Sequence, residues 1–306
     1  MERINLQWLN KLKIVLGKLY SIESIIKNQI LIDRVSENAR KSTVIGTCLF
    51  DSEYYSKTPV VVSLTTYNKR IYDVYLSIES MLNQTIKPNK IILWLSEDEF
   101  DLDKLPIVLR KQQERGLEIR FCEDLKSYKK LLPTLKEYND FNIITIDDDF
   151  IYPYDFVENL LRTHNKYPDC VCYYRGVRIG IRNHQINTYV KWMESKEEYL
   201  PSILNFATGA GGVLYPKGCF DSNILDIKKI FDLAPYADDI WFKAMTLLND
   251  IKYVKVVLPV SFDSKFVLLD NMQDIALHHK NVTKKLNDIQ LNAVFKEFGL
   301  YSKLFK

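Results

Sequence analysis

Apolar runs separated by amphipathic stretches predict an alternation of strands and helices. The runs at 59–67, 91–95 and 143–146 are mostly apolar or β-branched, which indicates buried strands. A further strand is expected at 117–121, and helices are expected at 71–83 and 128–138. Strands that are apolar on both sides are typical of a parallel sheet with helices on both faces. The chain is therefore expected to have an α/β fold.

The N-terminal region has a different pattern. Residues 4–32 carry apolar residues at helical spacing, with lysines mostly between them, which predicts one or two amphipathic helices. Such a helix packs onto its own domain or onto a second copy of the chain in a homo-oligomer. The alternative is a basic surface that rests on a membrane. Residues 36–57 are expected to form a connector.

Three consecutive acids, Asp147, Asp148 and Asp149, follow the run at 143–146, and Pro153 comes soon after them. Repulsion and desolvation raise the pKa values of adjacent carboxyl groups unless a cation compensates. Mg²⁺ and Mn²⁺ prefer oxygen ligands, and Mg²⁺ uses only one or two protein carboxylates besides waters and phosphates. The acids therefore predict a metal site that holds a diphosphate. The alternative is that they only shape the turn and cap the next helix.

The carboxyl ends of the strands are the expected binding edge, since ligands of parallel sheets lie there. Thr65, Tyr67 and Arg70 follow the first strand. They are expected to line one crevice together with the acids at 147–149.

The second half contributes two further signals. Gly209, Gly211 and Gly212 are the one dense group of glycines, and they precede a short strand. Asp238 and Asp239 open a helix, where the helix dipole favours negative charge.

Composition bounds the class of protein. The 306 residues are 47% hydrophobic and 26% charged, as in ordinary globular proteins, and they suffice for one large α/β domain with additions. The net charge of +3 gives no reason to expect nucleic acid binding. No apolar run reaches the roughly 20 residues that a transmembrane helix needs, and no secretory pattern is present. An intracellular protein is expected.

The motifs together resemble one family. They are, in order, the end of the first strand at 63–70, Gln84-Thr85-x-x-Pro88, Asp147-Asp148-Asp149, the Gly-Ala-Gly-Gly loop at 209–212 and Asp238-Asp239. This series resembles the nucleotide-sugar glycosyltransferases of the GT-A fold, in particular those that build bacterial capsules and surface polysaccharides, and more distantly the exostosin-like ones. The resemblance covers about 59–250.

The resemblance implies a Rossmann-like, mostly parallel central sheet flanked by helices, with an N-terminal amphipathic helical extension. The extension and connector occupy 1–57, the catalytic domain 58–265 and a C-terminal helical segment 266–306. Within the catalytic domain, 58–150 is expected to bind the nucleotide and 151–265 the acceptor. The implied reaction transfers a sugar from a nucleotide-diphosphate sugar to a glycan or lipid-linked glycan, with Mn²⁺ or Mg²⁺ as cofactor. Such an enzyme is expected in the cytoplasm, with peripheral attachment to the inner face of the membrane as an alternative.

The resemblance also implies roles on the donor side. Asp147 resembles the first acid of the Asp-x-Asp motif, which faces the nucleotide ribose or the metal shell, and Asp149 resembles the metal-binding acid. The residues expected to contact the donor are Thr65, Tyr67, Arg70, Lys130, Asp147 and Asp148. His278 is a candidate for a further metal ligand, although a histidine near the end of a chain is more often a surface or core residue.

On the acceptor side, Gly211 and Gly212 are expected beside the transferred sugar. Asp239 is the expected catalytic base and Asp238 the second candidate, with helix capping as the alternative. If the enzyme retains configuration, the same acid is expected to bind the acceptor. Trp241 is a candidate to stack on a sugar, and core packing is its other interpretation.

Two other functions compete. A nucleotidyltransferase that acts on sugar phosphates also places carboxylates at strand ends, but it usually has a Gly-rich loop after its first strand, and 63–70 contains no glycine. A non-catalytic glycan-binding protein on the same fold is the other alternative. The presence of Asp147, Asp149 and Asp239 favours an enzyme.

Overall fold

The computed structural model describes residues 6–48, 57–183, 185–269 and 286–305. The strands are β1 (Val60–Thr65), β2 (Lys90–Ser96), β3 (Leu117–Cys122), β4 (Asn142–Thr145), β5 (Phe150–Ile151), β6 (Val171–Tyr173), β7 (Gly176–Arg178), β8 (Ile181–Arg182), β9 (Gln185–Ile186), β10 (Asn205–Ala207), β11 (Val213–Tyr215), β12 (Tyr253–Lys255) and β13 (Val267–Leu268). The helices are α1 (Leu6–Lys41), α2 (Val74–Leu82), α3 (Ile107–Gln113), α4 (Leu132–Glu137), α5 (Phe156–Lys166), α6 (Ile227–Leu233), α7 (Asp238–Leu248), α8 (Phe262–Lys265), α9 (Leu286–Glu297) and α10 (Tyr301–Leu304).

Seven of the described strands form one mixed sheet in the order β12-β6-β11-β4-β1-β2-β3. Strand β1 pairs in parallel with β2 and β4, and β2 pairs in parallel with β3. Within this sheet, β11 runs antiparallel to its neighbours β4 and β6, while β12 is parallel to β6. The carboxyl ends of β1 to β4 therefore meet at one edge. The predicted α/β fold with a mostly parallel central sheet is confirmed.

Helices cover both faces of this sheet because side chains alternate along its strands. On one face, Val61 of β1 packs in a cluster with residues of α7 and α9. On the other face, Val60 and Val62 pack with residues of α2, α3 and α5. All three valines are fully buried. The expectation that both faces of the sheet are covered is confirmed.

Two predicted elements differ from those observed. Helix α1 continues to Lys41, so the predicted connector is helical over its first residues. The single helix expected at 128–138 is a 3-10 turn, Lys126–Lys130, followed by α4. Leu131 separates the two segments, and Pro133 lies in the first turn of α4, where its missing N–H costs no hydrogen bond.

The C-terminal helices belong to the core. Leu291, Val294 and Phe295 of α9 are buried in the same cluster as Trp241, and Leu300 and Leu304 join them. No helix in the described ranges has both the length and the apolar character that crossing a bilayer requires.

Candidate active site

A cleft of about 1200 Å³ opens at the carboxyl ends of β1 to β4. Its walls include Thr65, Tyr67 and Arg70 after β1, the acids at 147–149 after β4, and the 3-10 turn Gly209–Gly211. The first turn of α7 also lines it. Because β11 is antiparallel, the turn that precedes it lies at the same edge as the ends of the parallel strands.

Asp148 is the buried member of the three acids. Its Oδ1 is 2.5 Å from Arg70 Nη1, and its Oδ2 accepts a 2.6 Å hydrogen bond from Thr66 Oγ1. Burial raises the pKa of this carboxyl group, although Arg70 and Thr66 act to lower it. Both oxygens have partners within the protein. Its position therefore supports a role in fixing the turn to β1 rather than the predicted contact with the donor.

The two flanking acids are more open to the cleft. The side chains of Asp147 and Asp149 are 28% and 15% exposed, compared with 6% for Asp148. Asp149 Oδ2 is 3.5 Å from Arg70 Nη2. The backbone of Asp147 is fixed because its N–H donates to the Tyr152 hydroxyl (2.9 Å). The first and third carboxylates of the run, those of Asp147 and Asp149, are therefore the ones open to the cleft.

Lys130 connects the acids after β4 to the acids at the start of α7. Its Nζ is 2.9 Å from Asp147 Oδ1 and 3.0 Å from Asp238 Oδ2. Burial acts to lower the pKa of this lysine, but the nearby carboxylates raise it well above its ordinary value. Lys130 is therefore a buried, permanently charged cation between the turn after β4 and helix α7.

Asp239 is half-buried and accepts a 3.1 Å hydrogen bond from the backbone N–H of Gly209 at its Oδ2. Desolvation, followed by repulsion from Asp238, raises the pKa of its carboxyl group to about 7, and Lys130 only partly opposes this shift. A carboxyl group with a pKa near neutrality can accept a proton and release it again, as a general base requires.

The glycine loop approaches this cluster through Gly209. A Cβ at Gly209 would lie 2.6 Å from Lys130 Nζ and 3.3 Å from Asp239 Oδ1. A Cβ at Gly211 would instead meet Arg175, and one at Gly212 would meet the Phe156 ring. Gly209 is therefore the glycine that lies against the acids, and the placement of Gly211 and Gly212 beside a transferred sugar stays a prediction.

Trp241 does not line the cleft. It is fully buried, its Nε1 donates to the backbone oxygen of Ile224, and its ring packs edge-on against Phe298 at 5.7 Å. The predicted stacking on a sugar is wrong, and the core-packing interpretation is correct. His278 lies outside the described residues.

The predicted residues of the first strand end lie in the cleft wall. Thr65 Oγ1 donates to the backbone oxygen of Trp94 (2.8 Å), which ties β1 to β2. The guanidinium carbon of Arg70 is 5.2 Å from the centre of the Tyr67 ring. Tyr67 is half-buried, and burial raises the pKa of its hydroxyl.

Sequence reasoning missed many of the cleft residues, among them Glu99, Asp124, Lys129, Arg175 and Tyr236. Glu99 accepts a 2.5 Å hydrogen bond from the N–H of Asn68, and Asp124 pairs with Lys129 at 2.6 Å. The signal for Glu99 and Asp124 was present, because polar residues directly after β2 and β3 lie at the same edge as those after β1.

The charge of the cleft favours a bound cation. Its acidic lining residues are Asp98, Glu99, Asp124, Asp147, Asp148, Asp149, Glu194, Asp238 and Asp239, and its basic ones are Arg70, Lys126, Lys129, Lys130 and Arg175. This excess of carboxylates repels a diphosphate unless a cation accompanies it.

The residues present fit a divalent metal. Asp147 and Asp149 are the partly exposed acids, and Mg²⁺ commonly uses only one or two protein carboxylates together with substrate phosphates. Within the described ranges, no group of three His, Cys, Asp or Glu side chains is arranged to hold a metal without a substrate. The fit is therefore to a metal that the substrate helps to hold.

No protein-family model matches the sequence, and no curated protein is significantly similar to it. Among solved structures, S. aureus TarS 1–349 is 16% identical over 66% of this chain, with a TM-score of 0.40, and the match spans 58% of that chain. The mannosyltransferase PcManGT from Pyrobaculum calidifontis, in complex with GDP-Man and Mn²⁺, is 11% identical over 92% of this chain and 74% of its own, with a TM-score of 0.47. A CMP:2-keto-3-deoxy-manno-octonic acid synthetase complexed with CTP is 12% identical over 66% of this chain and 90% of its own, with a TM-score of 0.37.

Proposed function

We propose that this chain is a metal-dependent glycosyltransferase. It transfers a sugar from a nucleotide-diphosphate sugar to a glycan or lipid-linked glycan acceptor, in the synthesis of a capsule or another surface polysaccharide. One observation carries the proposal: two partly exposed acids after β4 share a cleft with an acid on α7 whose pKa is about 7. Asp147 and Asp149 suit the binding of a divalent metal with its diphosphate, and Asp239 suits proton transfer.

The donor half of the proposal rests on the ends of β1 to β4. Thr65 and Tyr67 provide a wall for the nucleoside, and Asp147 and Asp149 are the residues that would hold the metal. A bound divalent metal would neutralise the charge that develops on the leaving diphosphate. Lys130 lies within hydrogen-bond distance of Asp147, so its charge is available at the same end of the cleft.

The acceptor half of the proposal rests on the start of α7. An inverting transfer needs a group that removes the proton of the acceptor hydroxyl, and this step contributes roughly 10²- to 10⁴-fold to the rate. Asp239 supports this role because its carboxyl group lines the cleft and has a pKa of about 7. The Gly209 N–H fixes its orientation.

The test is turnover of a panel of nucleotide-diphosphate sugars in the presence of a glycan acceptor and Mn²⁺. We expect release of nucleoside diphosphate that stops in EDTA and in the Asp149→Asn variant. The control is Asp232→Asn, an exposed acid on α6, which is expected to keep wild-type activity. Full activity in EDTA would contradict the metal role.

A second arm separates the two enzyme classes. The protein is incubated with nucleoside triphosphates and sugar 1-phosphates, and pyrophosphate release is measured. Pyrophosphate release without glycosyl transfer would replace the proposed function by nucleotidyl transfer. Binding of glycans without either reaction would indicate the non-catalytic alternative.

A further inference from the structure

Helix α1 has apolar residues on two different sides. Near its C-terminal end, Val35 packs in a small cluster with Leu76 and Ile151 of the domain. Upstream, Ile22 and Ile26 are 52% and 53% exposed. At about 100° per residue, Val35 lies roughly half a turn around the helix from Ile26. The C-terminal end of α1 therefore packs on the domain with one side, while the opposite side, which carries Ile22 and Ile26, is exposed in the described structure.

The sequence of the upstream part repeats with the spacing of a coiled coil. Apolar residues recur at alternating intervals of four and three, at Trp8, Leu12, Val15, Leu19, Ile22 and Ile26. In heptad terms, Leu12, Leu19 and Ile26 are a positions, and the other three are d positions. We call this series the α1 seam. Exposed Ile25 and Ile30 flank its C-terminal end and widen it.

The charges beside the α1 seam match a parallel partner. Lys18 occupies a g position and Glu23 the e position of the next heptad. In a parallel coiled coil these two positions face each other between helices, so Lys18 of one copy lies opposite Glu23 of the other. In the next heptad the corresponding g and e positions are Ile25 and Ile30, so this pair of positions is apolar in both helices. Antiparallel pairing would instead bring g positions against g positions; these are Lys11, Lys18 and Ile25, so the Lys18–Glu23 pair would not form.

The heptad spacing of the α1 seam and the Lys18–Glu23 pair favour protein rather than lipid as the partner. The f positions opposite the seam, Asn10, Gly17 and Ser24, are uncharged, and the lysines at 13 and 27 lie at b positions. We propose that the α1 helices of identical chains associate as a parallel coiled coil through the α1 seam. The catalytic domains of the assembly then lie at the same end of the coil.

The first test measures the mass of the full chain in solution by light scattering and sedimentation equilibrium. The wild-type protein is expected to have at least twice the mass of one chain. The Ile22→Glu/Ile26→Glu variant is expected to have the mass of a single chain, because two carboxylates would enter the seam. Both isoleucines are exposed, so thermal unfolding of the domain is expected to be unchanged.

The matched control is Ser24→Glu/Asn28→Glu, which adds the same charge at the same spacing on the other side of the helix. It is expected to keep the wild-type mass. A monomeric wild-type chain, or an Ile22→Glu/Ile26→Glu variant that remains associated, would overturn the proposal.

The second test determines the orientation of the helices. Lys18→Glu and Glu23→Lys, each alone, are expected to weaken association several-fold, and the double exchange is expected to restore it. Failure of the double exchange to restore association would overturn the parallel arrangement.

A third measurement uses sedimentation with vesicles of phosphatidylglycerol and phosphatidylcholine. A chain that is monomeric in solution and sediments with these vesicles would replace the coiled coil by membrane binding. None of these measurements depends on catalysis, so their outcome is independent of the proposed function.

Discussion

The carboxyl group of Asp239 is the clearest case in which the environment of one residue changes its chemistry. We expect Asp239→Asn to reduce glycosyl transfer at least about 10²-fold while the affinity for the donor stays within a few-fold, because an amide cannot accept the proton. Steady-state kinetics and donor titrations test this. In the wild type, kcat/KM is expected to rise through pH 7 as the acid ionises, since its pKa is about 7. An unchanged rate in the variant would exclude Asp239 as the base and leave it the role of fixing the Gly209 turn.

The same carboxyl group links stability to pH. Its pKa rises from 3.8 to about 7 on folding, so between these values the folded state binds more protons than the unfolded state, and stability falls as pH rises. The Asp239→Asn side chain is neutral at every pH. We therefore expect the Tm of Asp239→Asn minus that of wild type to increase from pH 5 to pH 8 in thermal unfolding with EDTA. A difference that is constant with pH would contradict the raised pKa.

The sequence identifies the run of acids but not the task of each one. Asp147, Asp148 and Asp149 are chemically identical, and the assignment of Asp148 to a buried pair depends on Arg70 and Thr66, which approach from β1. Such contacts between segments distant in sequence have no local signature. The sequence likewise does not show that Gly209, rather than Gly211 or Gly212, lies against the acids, because the three glycines differ only in what surrounds each one.

At the scale of elements, helix α9 shows how a segment outside the recognised motifs supports the site. Its Asp288 accepts a 2.7 Å hydrogen bond from the N–H of Tyr189, and its Gln290 accepts a 2.9 Å bond from the N–H of Tyr236. Both tyrosines line the cleft. One helix therefore fixes the backbone of two cleft-wall segments that are far apart in sequence.

The core contact of α9 leads to a stability prediction. Phe295 is fully buried, whereas Ile289 on the same helix is 60% exposed. We expect Phe295→Ala to lower the free energy of unfolding by about 3–5 kcal/mol, because it removes apolar contacts and leaves a cavity. Urea denaturation measures this. Ile289→Ala is the control and is expected to cost less than about 1 kcal/mol; equal losses would contradict the observed packing.

The elements that could be predicted are those specified by local pattern. The runs at 91–95 and 117–121 predicted β2 and β3 to within one residue. Strand β2 is buried and apolar on both sides, whereas the half-buried edge strand β3 alternates apolar residues with Glu118 and Arg120. The division of 126–137 into two segments was not predicted. There, buried contacts of Tyr128, Lys129 and Lys130 hold a tighter turn than helical periodicity suggests.

For the whole molecule, the proposed function implies that the charge balance of the cleft couples metal binding to nucleotide binding. We expect nucleoside diphosphates to bind weakly without a divalent metal and at least tenfold more tightly with Mn²⁺, because the acidic lining otherwise repels the phosphates. Isothermal titration calorimetry measures both affinities, and ligand at 100 times its Kd would stabilise the fold by about 2.7 kcal/mol. Asp149→Asn is expected to lose the effect of Mn²⁺ and Asp232→Asn to keep it. Equal affinity with and without metal would contradict the coupling.

The reversed direction of β11 has an architectural consequence. The loops after β1 to β4 leave the sheet at the ends of parallel strands, whereas the loop at 209–212 leads into the antiparallel strand β11. The segment between β7 and β10 is a detour whose two ends pair with each other, outside the seven-stranded sheet. This segment supplies Tyr189 and Glu194 to the cleft wall. Under the proposed function, exchange of the segment would alter the acceptor side of the cleft while the turn that carries Asp147 and Asp149 stays in place.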